Sequence, residues 1–183
     1  MINLEGGKEK FASKLDKFFA RSANEADETH LKFLGQEGLI GQYAHGNEPS
    51  HHIAYLYKFT GEGWKTDELI REITTRFYDN KPEGITGNED CGQMSAWYIF
   101  SVLGFYPVNP SAGEYILGAP QVKRAVINLP GGKKFAIEAK NISDANKYVQ
   151  AVQLNSKPRA GISISHAEIV KGGKLDFTMK AKS

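Results

Sequence analysis

Residues Gln93 to Leu103 leave a folding chain few choices. Met94, Ala96, Trp97, Tyr98, Ile99, Phe100, Val102 and Leu103 are interrupted only by Ser95 and Ser101, and a segment apolar on nearly every side must be covered by other structure. With Gly104 behind it as a left-handed cap, the run predicts a central helix from about Gly92 to Leu103. The stretch from about Pro49 to Phe59 has the same character, with Ile53, Ala54, Leu56 and Tyr57 before the stop Thr60-Gly61-Glu62-Gly63. Two helices without a surface for water do not suit a free-standing bundle, so the sequence predicts that more chain packs around this one.

Two further helices are predicted. Lys8 to Ala20 places Phe11, Leu15, Phe18 and Phe19 on one face, and Asp67 to about Tyr78, capped by Thr66, does the same with Leu69, Ile70, Ile73 and Phe77. The polar stretch Arg21 to Glu28 between them reads as loop. After Pro107-Val108-Asn109-Pro110 the character changes to short β-branched or alternating runs at 115–117, 122–129, 134–139, 148–154, 166–170 and 174–180, punctuated by Pro130-Gly131-Gly132 and Lys171-Gly172-Gly173. Helices first and strands afterwards argue an α+β chain, helical over 1–106 and an antiparallel β region over 107–183.

With 183 residues, 40% of them hydrophobic, the chain can bury a sizeable core. A net charge of +2 gives no basic stripe for nucleic acid. No apolar run is long enough to span a bilayer, and Met1-Ile2-Asn3-Leu4-Glu5 lacks the basic and apolar regions of a signal peptide. The one cysteine, Cys91, has no internal partner and leaves the redox compartment open.

Polar chemistry is concentrated in two stretches. Tyr43-Ala44-His45-Gly46-Asn47-Glu48-Pro49-Ser50-His51-His52 is a Gly-Asn-acid loop entering a helix, with Pro49 suited to its first turn. Gly87-Asn88-Glu89-Asp90-Cys91-Gly92-Gln93, about forty residues later, is a second loop of the same kind. Two such loops at two helix starts imply one shared polar site. Glu89 and Asp90 read either as solvated surface or as functional carboxylates stabilised at a buried helix N-terminus. Asn47 and Glu48 read either as a turn and cap or as oxygen donors for a hard cation. His45, His51 and His52 carry no HExxH or finger spacing and so do not make a zinc site. Cys91, beside two carboxylates, reads as an inert thiol.

HGNEPSHHIAYLY and GNEDCGQMSAWYIFSVLGFYPVNP together resemble the C-terminal part of family 92 glycoside hydrolases, calcium-dependent exo-acting α-mannosidases; the likeness is dense from about Gln42 to about Pro120. It implies that residues 1–106 are the last helices of an (α/α)6 barrel and that 107–183 form the β region beside it. It further implies an inverting, extracytoplasmic enzyme, periplasmic or secreted, that removes terminal mannose, including α-1,2-linked mannose, from mannose-rich glycans. On that resemblance Asp90 is the general base, with Glu89 assisting. Asn47, Glu48 and Asp90 are candidate Ca²⁺ ligands, and His45, Glu48, His51, His52 and Asn88 candidate sugar contacts. Trp64 is a candidate stacking platform at the site rim.

Inversion needs a second carboxyl as acid. The family's acid lies in a Glu-Gly-Asn string, and neither Glu5-Gly6-Gly7 nor Glu37-Gly38-Leu39 matches it. The expected reading is therefore the general-base side of a larger catalytic unit, inactive alone and partnered by the remainder of the parent domain. The alternative is a non-catalytic carbohydrate-binding or scaffold module, which would need an exposed aromatic platform on the strands, with Tyr115, Tyr148 and Phe177 the candidates.

Overall fold

A computed structural model describes residues 1–21 and 38–182. Most of the stretch expected as loop after Arg21, and Glu37, lie outside them. The helix α1, Lys8–Ala20, buries Phe11, Ala12 and Leu15 as its spacing predicts. They pack with Tyr57, whose phenol donates to Asp16 of α1 at 2.8 Å. A short hairpin follows, β1 (Leu39–Ile40) with β2 (Tyr43–Ala44). The single helix expected over 49–59 is instead two 3-10 pieces, Glu48–Ser50 with Pro49 in its first turn and Ile53–Phe59.

The next helix, α2, spans Gly63–Arg76 and begins before the expected cap. Thr60 explains the early start: its hydroxyl donates to the Tyr57 carbonyl at 2.8 Å and accepts from the Glu62 N–H at 3.2 Å, which closes the preceding turn. Thr66 is consequently interior and fully buried, not a cap. The helix α3, Gln93–Leu103, ends at Gly104 with φ 94 as expected. Met94, Trp97 and Ser101 face the core, but Tyr98 and Ile99 are 37% and 55% exposed. One face of this apolar helix is thus uncovered among the described residues.

The rest is β. Strands β3 (Phe105–Tyr106), β4 (Glu114–Leu117) and β9 (Ser163–Ser165) form a three-stranded sheet in that order. A five-stranded sheet has the order β5 (Arg124–Asn128), β6 (Lys134–Lys140), β10 (Gly173–Lys180), β7 (Tyr148–Leu154), β8 (Lys157–Pro158). The antiparallel expectation holds for every pair but one: β10 lies parallel to β6, with Leu175 opposite Ile137. Residues 166–170, expected as a strand, form a short helix α4, His166–Val170. Its cause is the reciprocal cap in which Ser165 accepts from the Glu168 N–H and Glu168 accepts from the Ser165 N–H. Chain class is therefore α+β, and two cores meet across β3 and β4. One is helical, around Tyr55, Ile70, Ile73 and Trp97; the other lies against the sheet, around Phe135, Ile137, Leu175 and Phe177. Asp67 of α2 joins the halves by accepting from the Val149 N–H of β7 at 3.2 Å.

Candidate active site

The two Gly-Asn-acid loops touch. Gly87 has φ +79, and a Cβ built on it would lie 2.5 Å from both the Cα and the carbonyl oxygen of Gly46. Only two glycines allow backbones to approach this closely. Gly38 backs the same point, since its own Cβ would meet the Thr86 side chain at 3.0 Å and the Gly46 nitrogen at 3.5 Å. Stretches that the sequence separates by about forty residues are thereby stacked, with Asn47-Glu48 leading into one helix start and Glu89-Asp90 into another.

Beneath the contact lies a buried set of rings. His45 is fully buried, with Trp97 at 4.4 Å and His51 at 4.8 Å between ring centroids. Its Nδ1 meets the Tyr43 hydroxyl at 2.8 Å and its Nε2 meets the Tyr78 hydroxyl at 2.7 Å. Tyr78 spends its only proton on the Met94 carbonyl at 3.1 Å, so His45 donates from Nε2 and accepts at Nδ1. His51 donates from Nε2 to the His45 carbonyl at 3.0 Å, leaving Nδ1 to accept from the Gln93 amide at 3.3 Å. Trp97 donates its indole N–H to the His51 carbonyl at 3.1 Å. Burial holds His45 down to about 3, with His51 a second, repulsive cause, and burial likewise lowers His51. Both imidazoles are neutral at pH 7.

This placement corrects the expectation that His45 and His51 are sugar contacts, because neither ring reaches solvent. Their part is to hold the loops from below. His52 is half-buried beside them. Asn88, Glu89 and Asp90 are exposed, so the helix start they occupy is open, not buried as expected. The two acids differ. Glu89 is tied into α3, accepting from the Ser95 N–H at 3.2 Å and the Ser95 hydroxyl at 2.6 Å. The Asp90 carboxylate accepts no hydrogen bond from the described residues and is exposed, its backbone carbonyl alone taking the Gln93 N–H. Cys91, at φ 53, is exposed.

Trp64 does not join this group. It opens α2, whose other end leads to Tyr78; at 1.5 Å rise per residue the two are about 20 Å apart. Trp64 instead lines a separate cleft of about 670 Å³ with Lys58, Asp67 and Tyr148. Nor do the strands offer an aromatic platform: Phe177 and Tyr148 are buried, and the Tyr115 hydroxyl is paired with His166 at 3.0 Å. The support residues Tyr78 and Gln93 escaped the sequence reading, because nothing in a helix-end tyrosine or a lone glutamine marks a buried partner.

One donor is conspicuous. The Glu48 Oε1 is shut from solvent and has no hydrogen-bond partner among the described residues, a costly state for a carboxylate oxygen. With the adjacent Asn47 it suits an oxygen-seeking cation. No group of three His, Cys, Asp or Glu side chains gathers into a metal site among the described residues, so the fit is that of a partial site.

The model of the glycosyl hydrolase family 92 catalytic domain matches residues 1–181. This chain belongs to glycosyl hydrolase family 92. A solved family 92 α-mannosidase from Bacteroides thetaiotaomicron is 41% identical with a TM-score of 0.84, over 96% of this family 92 chain and 22% of that one. The complex of that mannosidase with mannoimidazole gives 40% and 0.85, over 96% and 23%. A family 92 inverting mannosidase from the same organism gives 34% and 0.81, over 98% and 25%. Among curated proteins, an uncharacterized secreted glycosidase from Arthroderma benhamiae is 27% identical over 182 residues, 98% of this chain and 21% of the relative. The family 92 chain described here thus spans roughly a fifth to a quarter of the relatives it matches.

Proposed function

We propose that this chain supplies the general-base side of an inverting family 92 exo-α-mannosidase that removes terminal mannose from mannose-rich glycans. The stacking of Gly46 on Gly87 carries the reading, because it brings both acid-bearing loops to one edge of the fold. Asp90 is the base: its carboxylate is open to solvent and free to take a proton from the attacking water, whereas Glu89 is occupied by Ser95. Glu89 fixes the start of α3 and so the position of Asp90. His52 and Asn88, at the open side of the loops, contact sugar. The general acid comes from chain beyond this one, about 6.5–9.5 Å across the sugar from the base.

Glu48 and Asn47, with Asp90, would hold Ca²⁺, the remaining donors coming from backbone, water and the rest of the parent. Bound there, the ion supplies an anchor for vicinal hydroxyls of mannose. Residues 1–106 are the last helices of an (α/α)6 barrel, which fits the uncovered apolar face at Tyr98 and Ile99; residues 107–183 are its β-rich neighbour. Like the secreted relative, the parent acts outside the cytoplasm. The test is mannose release from α-1,2-mannobiose and mannan by the parent protein. Asp90→Asn should lower the rate about 10²–10⁴-fold at unchanged melting temperature, and a calcium chelator should abolish it. The 183-residue chain alone should be inactive. Mannose release by that chain at an ordinary enzymatic rate, or an Asp90→Asn parent within tenfold of wild type, would overturn the assignment.

A further inference from the structure

Resting on the proposed mannosidase reading, we infer that Tyr78 is a positioning residue whose hydroxyl sets the spacing between the Glu48 loop and the Asp90 loop. Its oxygen accepts from the Nε2 of His45, immediately before Gly46-Asn47-Glu48, at 2.7 Å, and its proton goes to the Met94 carbonyl, in the first turn after Asp90, at 3.1 Å. Among the described residues, Tyr78 is the one side chain from outside both loops that bonds His45 and the backbone of α3; His51, within the first loop, also bridges the His45 carbonyl to the Gln93 side chain. Gln93 links His51 to Tyr106, and Trp97 links α3 to His51, but both lie behind the loops at their later ends.

Direction matters as much as length. The Tyr78 proton has one acceptor, so His45 must present Nε2–H to Tyr78 and its bare Nδ1 to Tyr43. The bonds run one way, Tyr43 to His45 and His45 to Tyr78 to Met94, and none can reverse while the Met94 carbonyl is the terminus. The ring of Tyr78 is held independently, stacked at 6.2 Å on Trp97 and at 4.8 Å from Tyr98. Loss of the hydroxyl therefore removes the tie and keeps the packing. Both bonds of the hydroxyl go to protein groups, the His45 imidazole and the Met94 carbonyl, so its influence passes through loop geometry.

Tyr78→Phe in the parent should lower kcat by up to about 10²-fold, the cost of misplacing a reacting group by about 1 Å, with KM within threefold of wild type. Tyr43→Phe is the comparison, since it removes a fully buried hydrogen bond from the same imidazole without touching the Met94 link. It should destabilise the fold and leave kcat within about threefold. Equal kcat losses in the two variants would show a structural role only, and an unchanged kcat in Tyr78→Phe would overturn the inference outright.

A second measurement does not depend on folding of the variants. Imidazole ¹⁵N shifts of the wild-type 183-residue chain should show the His45 proton on Nε2 and Nδ1 bare. The opposite tautomer refutes the tie. A parent that releases no mannose from any α-mannoside would sink the mannosidase reading, whereas the tautomer result stands apart from it.

Discussion

Replacing Gly87 by Ala tests the contact on which the site depends. Two costs are expected. Ala at φ +79 enters the left-handed region, roughly 1–2 kcal/mol. Its Cβ would also overlap the Gly46 Cα and carbonyl oxygen at 2.5 Å each, backbone atoms that cannot rotate away; overpacking of this kind costs typically about 1–3 kcal/mol. Gly131 separates the two terms, since it has φ +73 with nothing within 4 Å of a built Cβ. Gly131→Ala should therefore show the backbone cost alone, and Gly87→Ala that cost plus the overlap. For a chain of this size each kcal/mol moves the melting temperature by about 2–4 °C, which thermal unfolding followed by circular dichroism resolves. A Gly87→Ala chain that melts within about 2 °C of Gly131→Ala would mean that the loops do not touch.

Acid should weaken the fold before carboxylates titrate. His45 and His51 are neutral when folded but bind a proton in the unfolded chain below about 6.5, so their contribution is complete above that pH and falls as pH drops, for His45 down to about 3. Urea unfolding at pH 7 and pH 5 should show a loss approaching about 1.4 kcal/mol per pH unit for His45, with His51 adding in the same direction; equal stability at the two values would contradict their buried, neutral placement. Lys58→Met should cost about 3–5 kcal/mol at pH 7, because it leaves Asp67 buried without the ammonium now 2.6 Å away. The loss should shrink as pH falls and Asp67, raised by its burial, takes a proton; a chemical-denaturation midpoint unchanged at pH 7 would refute it.

What the sequence discloses follows from the range of the forces involved. The α1 bounds, the Gly104 stop and the β7 bounds are local, set by periodicity and by a residue able to reach positive φ, and they coincide with the structure. The α4 segment was also local, yet the adjacent Ile169 and Val170 suggested a strand, although Ser165-His166-Ala167-Glu168 carries a capping-box pattern. The parallel β6–β10 pairing is set by chain topology, and no residue pattern announces it. The pairing of the two acid loops was legible from their matching composition. Which residue does what was not: His45 and His51 look like ligands in a list of letters, and only the surrounding Tyr43, Tyr78 and Trp97 reveal core residues. Glu89 and Asp90 are equivalent in sequence and are distinguished by Ser95, one turn further on.

The place of β10 has a consequence for synthesis. Residues 173–180 form the middle strand of the five-stranded sheet, between β6 and β7, and contribute Leu175 and Phe177 to its core. A ribosome delivers β5 to β8 first, and until translation passes residue 180 the facing edges of β6 and β7 have no strand between them. The sheet thus cannot be zipped up vectorially, hairpin by hairpin. Nascent chains stopped anywhere between residues 154 and 172 should present two open edges to chaperones or to one another, and the closing insertion of a single strand would complete both ladders at once.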